Sequence, residues 1–180
     1  MARIAYADPD TPETRELAER IVAERGSLLD LYRMLLHSPP IADGWLRYLT
    51  AIRHECTLPG AIRELVIVRI AIVNGASYEA AQHVPIALKE GVSQSQIDAL
   101  AFWEISENFN DRERAILTYC DAMTRDIRVP DPIADAVRSF LSDRHVVELT
   151  ATIAAYNMVS RFLEALKIHA NGAAGEKSGH

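Results

Sequence analysis

Apolar positions recur at helical spacing along almost the whole chain, and turn residues interrupt them at short intervals. Thr11-Pro12-Glu13 reads as a helix start, with Thr at the N-cap, Pro at the first helical position and an acid in the first turn. That pattern runs to Arg25 and stops at Gly26, a residue suited to the left-handed position after a helix. Leu28 to His37 predicts a second short helix, ended by Ser38-Pro39-Pro40. Ile41 to about Glu55 predicts a third, with Trp45, Leu49 and Ile52 on one face, and Leu58-Pro59-Gly60 breaks it. Ala61 to Asn74 contains β-branched runs, Leu65-Val66-Ile67-Val68 and Ile70-Ala71-Ile72-Val73, which also suit a buried strand. A run of about fourteen residues without a breaker, in helical surroundings, favours a buried helix. Ser77 is placed to cap a helix over Tyr78 to Glu90, with Gly91 as its stop. Ser93 is placed to cap Gln94 to Trp103, and Asp111 to cap Arg112 to about Ile127. Pro132 opens a helix ending at Leu141. Arg144 to His169 predicts the last and longest helix, with Val147, Ala151, Ala154, Met158 and Phe162 roughly along one stripe.

These elements predict one all-α domain over residues 1–170, a helical bundle around a central antiparallel helix pair, followed by a frayed tail at 171–180. A chain of 180 residues is long enough to bury a core as a single domain. The net charge of −6 and scattered basic residues argue against a broad nucleic-acid surface or an anionic-membrane patch. The opening MARIAYADPDTPETRE lacks an apolar core of signal-peptide length, and the apolar stretch Leu65 to Val73 holds Arg69 and is too short to span a bilayer. A cytoplasmic protein is therefore expected. Its two cysteines, Cys56 and Cys120, form no C-x-x-C pair and no zinc or disulfide framework.

The candidate chemistry lies between Gly60 and Gly91. At 100° per residue, Ala71 and Gly75 fall within about 20° of Glu64, which leaves space beside its carboxylate. Glu79 and His83 stand one turn apart on the next helix and share a face. The short corner Asn74-Gly75-Ala76-Ser77 makes the two helices neighbours, so Glu64 meets the next helix near His83. Such a cluster suits proton transfer, because a carboxylate with little solvent has a raised pKa and an imidazole titrates near neutrality. Against this stands a plain surface pair, which is the commoner meaning of E-x-x-x-H on a helix. Tyr78 lies beside Glu79, with core or interface packing as its competing reading, and Tyr156 with Asn157 on the last helix is a further candidate pair for the pocket, with a buried polar contact between helices as the competing reading. His54 reads as a partner of a helix C-terminus. E-x-x-x-H offers two metal ligands without an identifiable third, so no metal is expected.

The stretch RELVIVRIAIVNGASYEAAQHVPIALKEGVSQSQIDAL, residues 63–100, resembles the carboxymuconolactone decarboxylase family, which also includes the AhpD-like alkylhydroperoxidases. The string combines R-E-L, an apolar helix, a Gly-containing corner, E-x-x-x-H-V and an I-x-A-L ending. The flanks LLHSPPIADGW and TIAAYNMVSRFLEAL look like longer members. The resemblance implies an AhpD-like helical bundle that assembles as a trimer or hexamer. The peroxidase branch uses E-x(11)-C-x-x-C-x-x-x-H. Its glutamate and histidine fall on Glu64 and His83, and its cysteines fall on Ala76 and Glu79, which supply no thiol. The decarboxylase branch matches directly. It implies proton transfer on a small carboxylated lactone without metal or organic cofactor. His83 is then the acid–base residue, Glu79 or Glu64 orients or tunes it, and Arg69 holds a substrate carboxylate. The competing functions are a peroxide-reducing protein using Cys56 or Cys120, and a non-catalytic small-ligand-binding scaffold.

Overall fold

The computed structural model describes residues 2–168. Nine α-helices run through them in chain order: α1 (Arg15–Arg25), α2 (Asp30–Leu35), α3 (Pro39–Thr50), α4 (Gly60–Asn74), α5 (Ser77–Lys89), α6 (Gln94–Ala99), α7 (Asp111–Asp126), α8 (Asp131–Arg138) and α9 (Asp143–Leu166). A π-helical turn, Ala51–Glu55, extends α3, and a 3₁₀ turn, Leu100–Ile105, extends α6. The described residues contain no strand, in keeping with an all-α fold.

The centre of the bundle is α4, against which α5, α7 and α9 pack. Every residue from Glu64 to Ala71 is buried. A segment enclosed on all sides must satisfy its own backbone groups. With no neighbouring strand among the described residues, only a helix does so, despite the β-branched composition. Gly75 then takes φ 67°, a left-handed turn that glycine adopts without Cβ strain, and the chain reverses so that α5 runs back along α4. On the other side α3 gathers α1 and α2. Ile21, Leu46, Ile67, Ile70, Ile116 and Ile153 belong to the main core, which these contacts close. No helix among the described residues is long and apolar enough to cross a membrane.

Several helix ends differ from the sequence reading. α1 begins at Arg15 rather than Pro12, because the Thr11 carbonyl accepts the N–H groups of both Thr14 and Arg15 in a preceding turn. Ser77 is the first residue of α5 rather than its cap, with no side-chain cap bond there. The cap of α7 is Asn110, one residue before Asp111. Its side chain accepts from Glu113 N at 3.0 Å while Glu113 accepts from Asn110 N at 2.9 Å, a reciprocal capping box. α9 turns a different face inward from the stripe expected. Val147 is 67% exposed and Ala154 is exposed as well, whereas Leu149, Ile153, Tyr156 and Leu163 are buried. His169 and the 171–180 tail lie outside the described residues.

α7 ends in a strained turn. Ile127 sits at φ 66°, ψ −43°, and the Asp126 carbonyl accepts from Arg128 N at 2.7 Å, which closes a three-residue turn. A β-branched residue at positive φ is costly, and this side chain is 82% exposed, so burial returns little. Ile127→Gly is expected to stabilise the protein by about 1 kcal/mol, a rise of roughly 2–4 °C in melting temperature. An unchanged or lower melting temperature counts against strain at this turn.

Candidate active site

Glu64, one turn into α4, and His83, in the middle of α5, meet because the Gly75 corner folds the two helices together. Their side chains bond at 2.7 Å between Glu64 Oε2 and His83 Nδ1. Arg63 Nε donates to the other carboxylate oxygen at 3.0 Å. Glu64 is wholly buried. Burial alone raises a carboxyl pKa, but the hydrogen bonds and charges of His83 and Arg63 outweigh it and hold Glu64 below the usual carboxylate range. Glu64 is thus ionised and accepts from the Nδ1–H of His83, and Nε2 of the ring makes no hydrogen bond to any described residue. The edge of one ring meets the face of the other where His83 packs on Tyr156, with centroids 4.9 Å apart and an interplanar angle of 87°. Burial pushes the Tyr156 hydroxyl far up, so it remains a phenol at every physiological pH.

Glu79 stands one turn before His83 on the same helix. Ser160 Oγ donates to its Oε2 at 2.5 Å, while Oε1 is buried without a partner. Burial, with the charge of Glu164 added, outweighs the Ser160 bond and pushes Glu79 up to about 8. Glu79 is accordingly a neutral acid at pH 7. His83, Glu79, Tyr78 and Tyr156 line a cavity of about 350 Å³ whose apolar walls include Leu29, Leu49 and Ile86. Glu64 stands behind His83, outside that lining.

The family model for the carboxymuconolactone decarboxylase family matches residues 39–122, which span both helices of this pair. The uncharacterised protein YnjA of Escherichia coli is 31% identical over 134 residues, which are 72% of this chain and 69% of that protein. The chain belongs to the carboxymuconolactone decarboxylase family. Two solved structures extend the likeness at the level of the fold. An uncharacterised peroxidase-related protein from Ralstonia eutropha, described as an alkylhydroperoxidase AhpD core, superposes with a TM-score of 0.79 at 17% identity, over 93% of this chain and 91% of that one. The debrominase Bmp8, in complex with 2,3,4-tribromopyrrole, gives 0.77 at 17% identity, over 93% and 92% of the two chains. The AhpD-like bundle expected from the sequence is the fold observed.

Within this family frame the residues singled out from the sequence divide into two groups. Glu64, His83, Glu79, Tyr78 and Tyr156 converge as described. Tyr78 is buried, and its hydroxyl is tied to the backbone of Leu31 and Asp30; burial and then the Asp30 charge raise its pKa. Arg69 and Asn157 do not reach the cavity, which corrects the substrate-binding role expected of them. The Arg69 guanidinium is spent on Asp121, at 2.7 and 2.6 Å, and on the Leu100 carbonyl at 2.7 Å. The Asn157 amide donates to Thr124 and the Ile153 carbonyl and accepts from Asn74 and Arg161.

Among the cavity residues not singled out from the sequence as site residues are Arg25, Trp45, Arg53, His54 and Gln82. Arg25 and His54 read from the sequence as basic residues at helix ends, and their facing one cavity is a product of tertiary packing alone. Neither cysteine lines the cavity. Cys120 is fully buried with its pKa pushed far up, and Cys56 is half-buried and also raised. Among the described residues no group of three or more His, Cys, Asp or Glu is set to hold a metal ion.

Proposed function

We propose that this chain is an enzyme that moves a proton at a carbon of a small carboxylated lactone or related carbon acid. The observation that carries this reading is the Glu64–His83 pair, whose unbonded imidazole nitrogen belongs to a residue of the cavity wall. In an isomerisation, His83 Nε2 takes a proton from one carbon and returns it to another. In a decarboxylation, the bond to the departing carboxylate breaks and CO₂ leaves. The electron pair passes to the neighbouring carbonyl oxygen as an enolate, and Nε2, having first taken a proton from water, delivers that proton to the carbon. Either way an imidazolium forms during turnover, and the buried Glu64 carboxylate stabilises it. Tyr156 and the neutral acid Glu79 are the donors for the enolate oxygen.

A peroxide-reducing role by a dithiol mechanism has no thiol to start from, because Ala76 and Glu79 occupy the two positions that need one. Turnover in D₂O separates the readings. With a panel of carboxylated γ-lactones and 3-oxo acids, solvent deuterium is expected at a product carbon by NMR. Consumption of free thiol by hydroperoxide, with no deuterium in any product, favours the peroxidase reading instead.

We further propose that the chain works as a trimer or hexamer in the cytoplasm. Its two free thiols suit a reducing compartment, and the exposed α9 edge at Val147, Ala154 and Met158 supplies an apolar contact face. Light scattering is expected to give three or six times the chain mass, and the mass of a monomer refutes the assembly.

A further inference from the structure

Beside the Glu64–His83 pair, the cavity wall holds two guanidinium groups that proton transfer at His83 does not employ. Arg25, the last residue of α1, lies outside the stretch the family model matches. Its side chain is only 4% exposed. Nε donates to the Tyr32 hydroxyl at 3.2 Å, and Nη2 to the Leu46 carbonyl at 3.2 Å and Thr50 Oγ1 at 2.6 Å. Nη1 is buried and makes no hydrogen bond, with a Glu24 oxygen 3.8 Å away. Trp45 Nε1 is a second buried donor without an acceptor, and it lines the same cavity. Arg53 is the third group. The π-helical turn after α3 carries it to the cavity wall, where it makes no hydrogen bond or ion pair with any described residue. Turns of this kind often occur at functional sites, where they re-aim a side chain.

The local charges do not cancel. Glu24 faces the cavity, accepts from Thr50 Oγ1 at 2.8 Å and offsets Arg25. Glu64 is taken by Arg63 and His83, and Glu79 is neutral at pH 7. Arg53 therefore retains its charge without a counter-ion. The field registers at its neighbour His54, where burial first and then Arg53, Arg25 and Arg63 push the imidazole pKa down. A buried N–H without an acceptor costs free energy that a ligand oxygen recovers. Two such buried donors, on Arg25 and Trp45, and the half-buried, unpaired guanidinium of Arg53 share a cavity whose walls also carry Leu29, Leu49 and Ile86, and together they define what fits it.

We infer that Arg25, Trp45 and Arg53 form a carboxylate-binding subsite, so that the ligand is an organic carboxylate whose apolar body fills the cavity beside His83. The role of His83 toward that ligand rests on the acid–base reading above; the binding does not. One chemical consequence separates the two reactions that reading allows. Guanidinium groups stabilise the anion they hold, whereas loss of CO₂ drains charge from the departing carboxylate, so the grip is strongest before the reaction. The carboxylate held here is thus retained in the product. The chemistry at His83 is then isomerisation, or the loss of a different carboxylate.

Isothermal titration of the whole protein with benzoate and its uncharged analogue benzamide tests the subsite. Benzoate is expected to bind at least tenfold more tightly. Arg53→Gln is expected to weaken benzoate about tenfold or more and leave benzamide unchanged, the effect of removing one charged donor. Trp45→Phe is expected to weaken benzoate several-fold. Arg25 also ties α1 to α2 and α3, so the Arg53 variant, which forfeits no internal bond, carries the comparison. Equal affinity for the two probes, no benzoate binding at tens of millimolar, or an Arg53→Gln variant that binds benzoate normally overturns the inference. Because binding needs no turnover, selective benzoate binding without proton transfer defeats only the acid–base reading. Indifferent binding with proton transfer intact defeats only the subsite.

Discussion

Replacing His83 with Ala is expected to lower kcat for the proton-transfer reaction by roughly 10²- to 10⁴-fold, the range general acid–base catalysis supplies. KM should move little, because the groups proposed to grip the substrate lie elsewhere on the cavity wall. The variant should still fold. Removing the imidazole leaves Glu64 Oε2 buried without its 2.7 Å partner, at a cost of about 1–3 kcal/mol. Arg63 continues to hold Oε1 at 3.0 Å, so the buried charge is not abandoned. A melting curve shows whether the fold survives, and steady-state kinetics shows whether chemistry does. Glu64→Gln makes the complementary test. An amide leaves the ring in place but gives the imidazolium no charge, so kcat should fall, on the order of 100-fold, with KM preserved. Full activity in a folded His83→Ala protein would remove His83 from the mechanism and the proposed reaction with it.

The helix pair was legible because its signals are local. A 3.6-residue spacing puts Glu79 and His83 on one face, and a glycine at the corner marks where the chain turns back. The ends of α4 and the left-handed Gly75 follow from the same short-range rules. What escaped depends on residues far apart in sequence. Arg69 looked like an available cation because its acidic partner, Asp121, lies 52 positions away. Nothing local marks that pairing, and the bidentate bond it forms removes Arg69 from the cavity altogether.

The error on α9 has a different origin. Hydrophobic periodicity assumes that the buried face is apolar, but this helix buries Glu148, Thr152, Asn157 and Ser160. Each is satisfied internally: Glu148 accepts the N–H groups of Thr57 and Leu58, and Ser160 donates to Glu79. A buried stripe rich in polar residues shifts the apparent apolar face toward solvent, and Val147 is the result. The π-helical turn at Ala51–Glu55 likewise has no sequence signature, and it is that turn which sets Arg53 in the cavity. The Glu64–His83 pair could thus be read from two short stretches, whereas the proposed ligand grip draws on α1, α3 and the turn after it.

The contribution of Glu79 to stability should fall as pH rises from about 4.5 to about 8, and Glu79→Gln should remove that fall. The ordinary value of the carboxyl is 4.5, and burial raises it in the folded protein to about 8. Between these two values the folded protein keeps a proton that the unfolded chain has released. Unfolding then releases a proton, so stability is greatest below the unfolded value and is lost as pH climbs through the folded one. A separation of this size corresponds to a loss of about 5 kcal/mol. Glutamine keeps the shape, accepts the Ser160 hydroxyl and never ionises. Wild type and variant should therefore melt together near pH 4 and diverge with rising pH, the variant melting roughly 10 °C higher at pH 9. Kinetics adds a second readout. If Glu79 donates a hydrogen bond to the enolate, wild-type kcat should drop as the acid ionises near pH 8. The Gln variant retains an N–H donor that does not titrate, so its alkaline limb should flatten. A limb that stays in place in the variant belongs to another group, and Glu79 would then be a buried acid with no part in the chemistry.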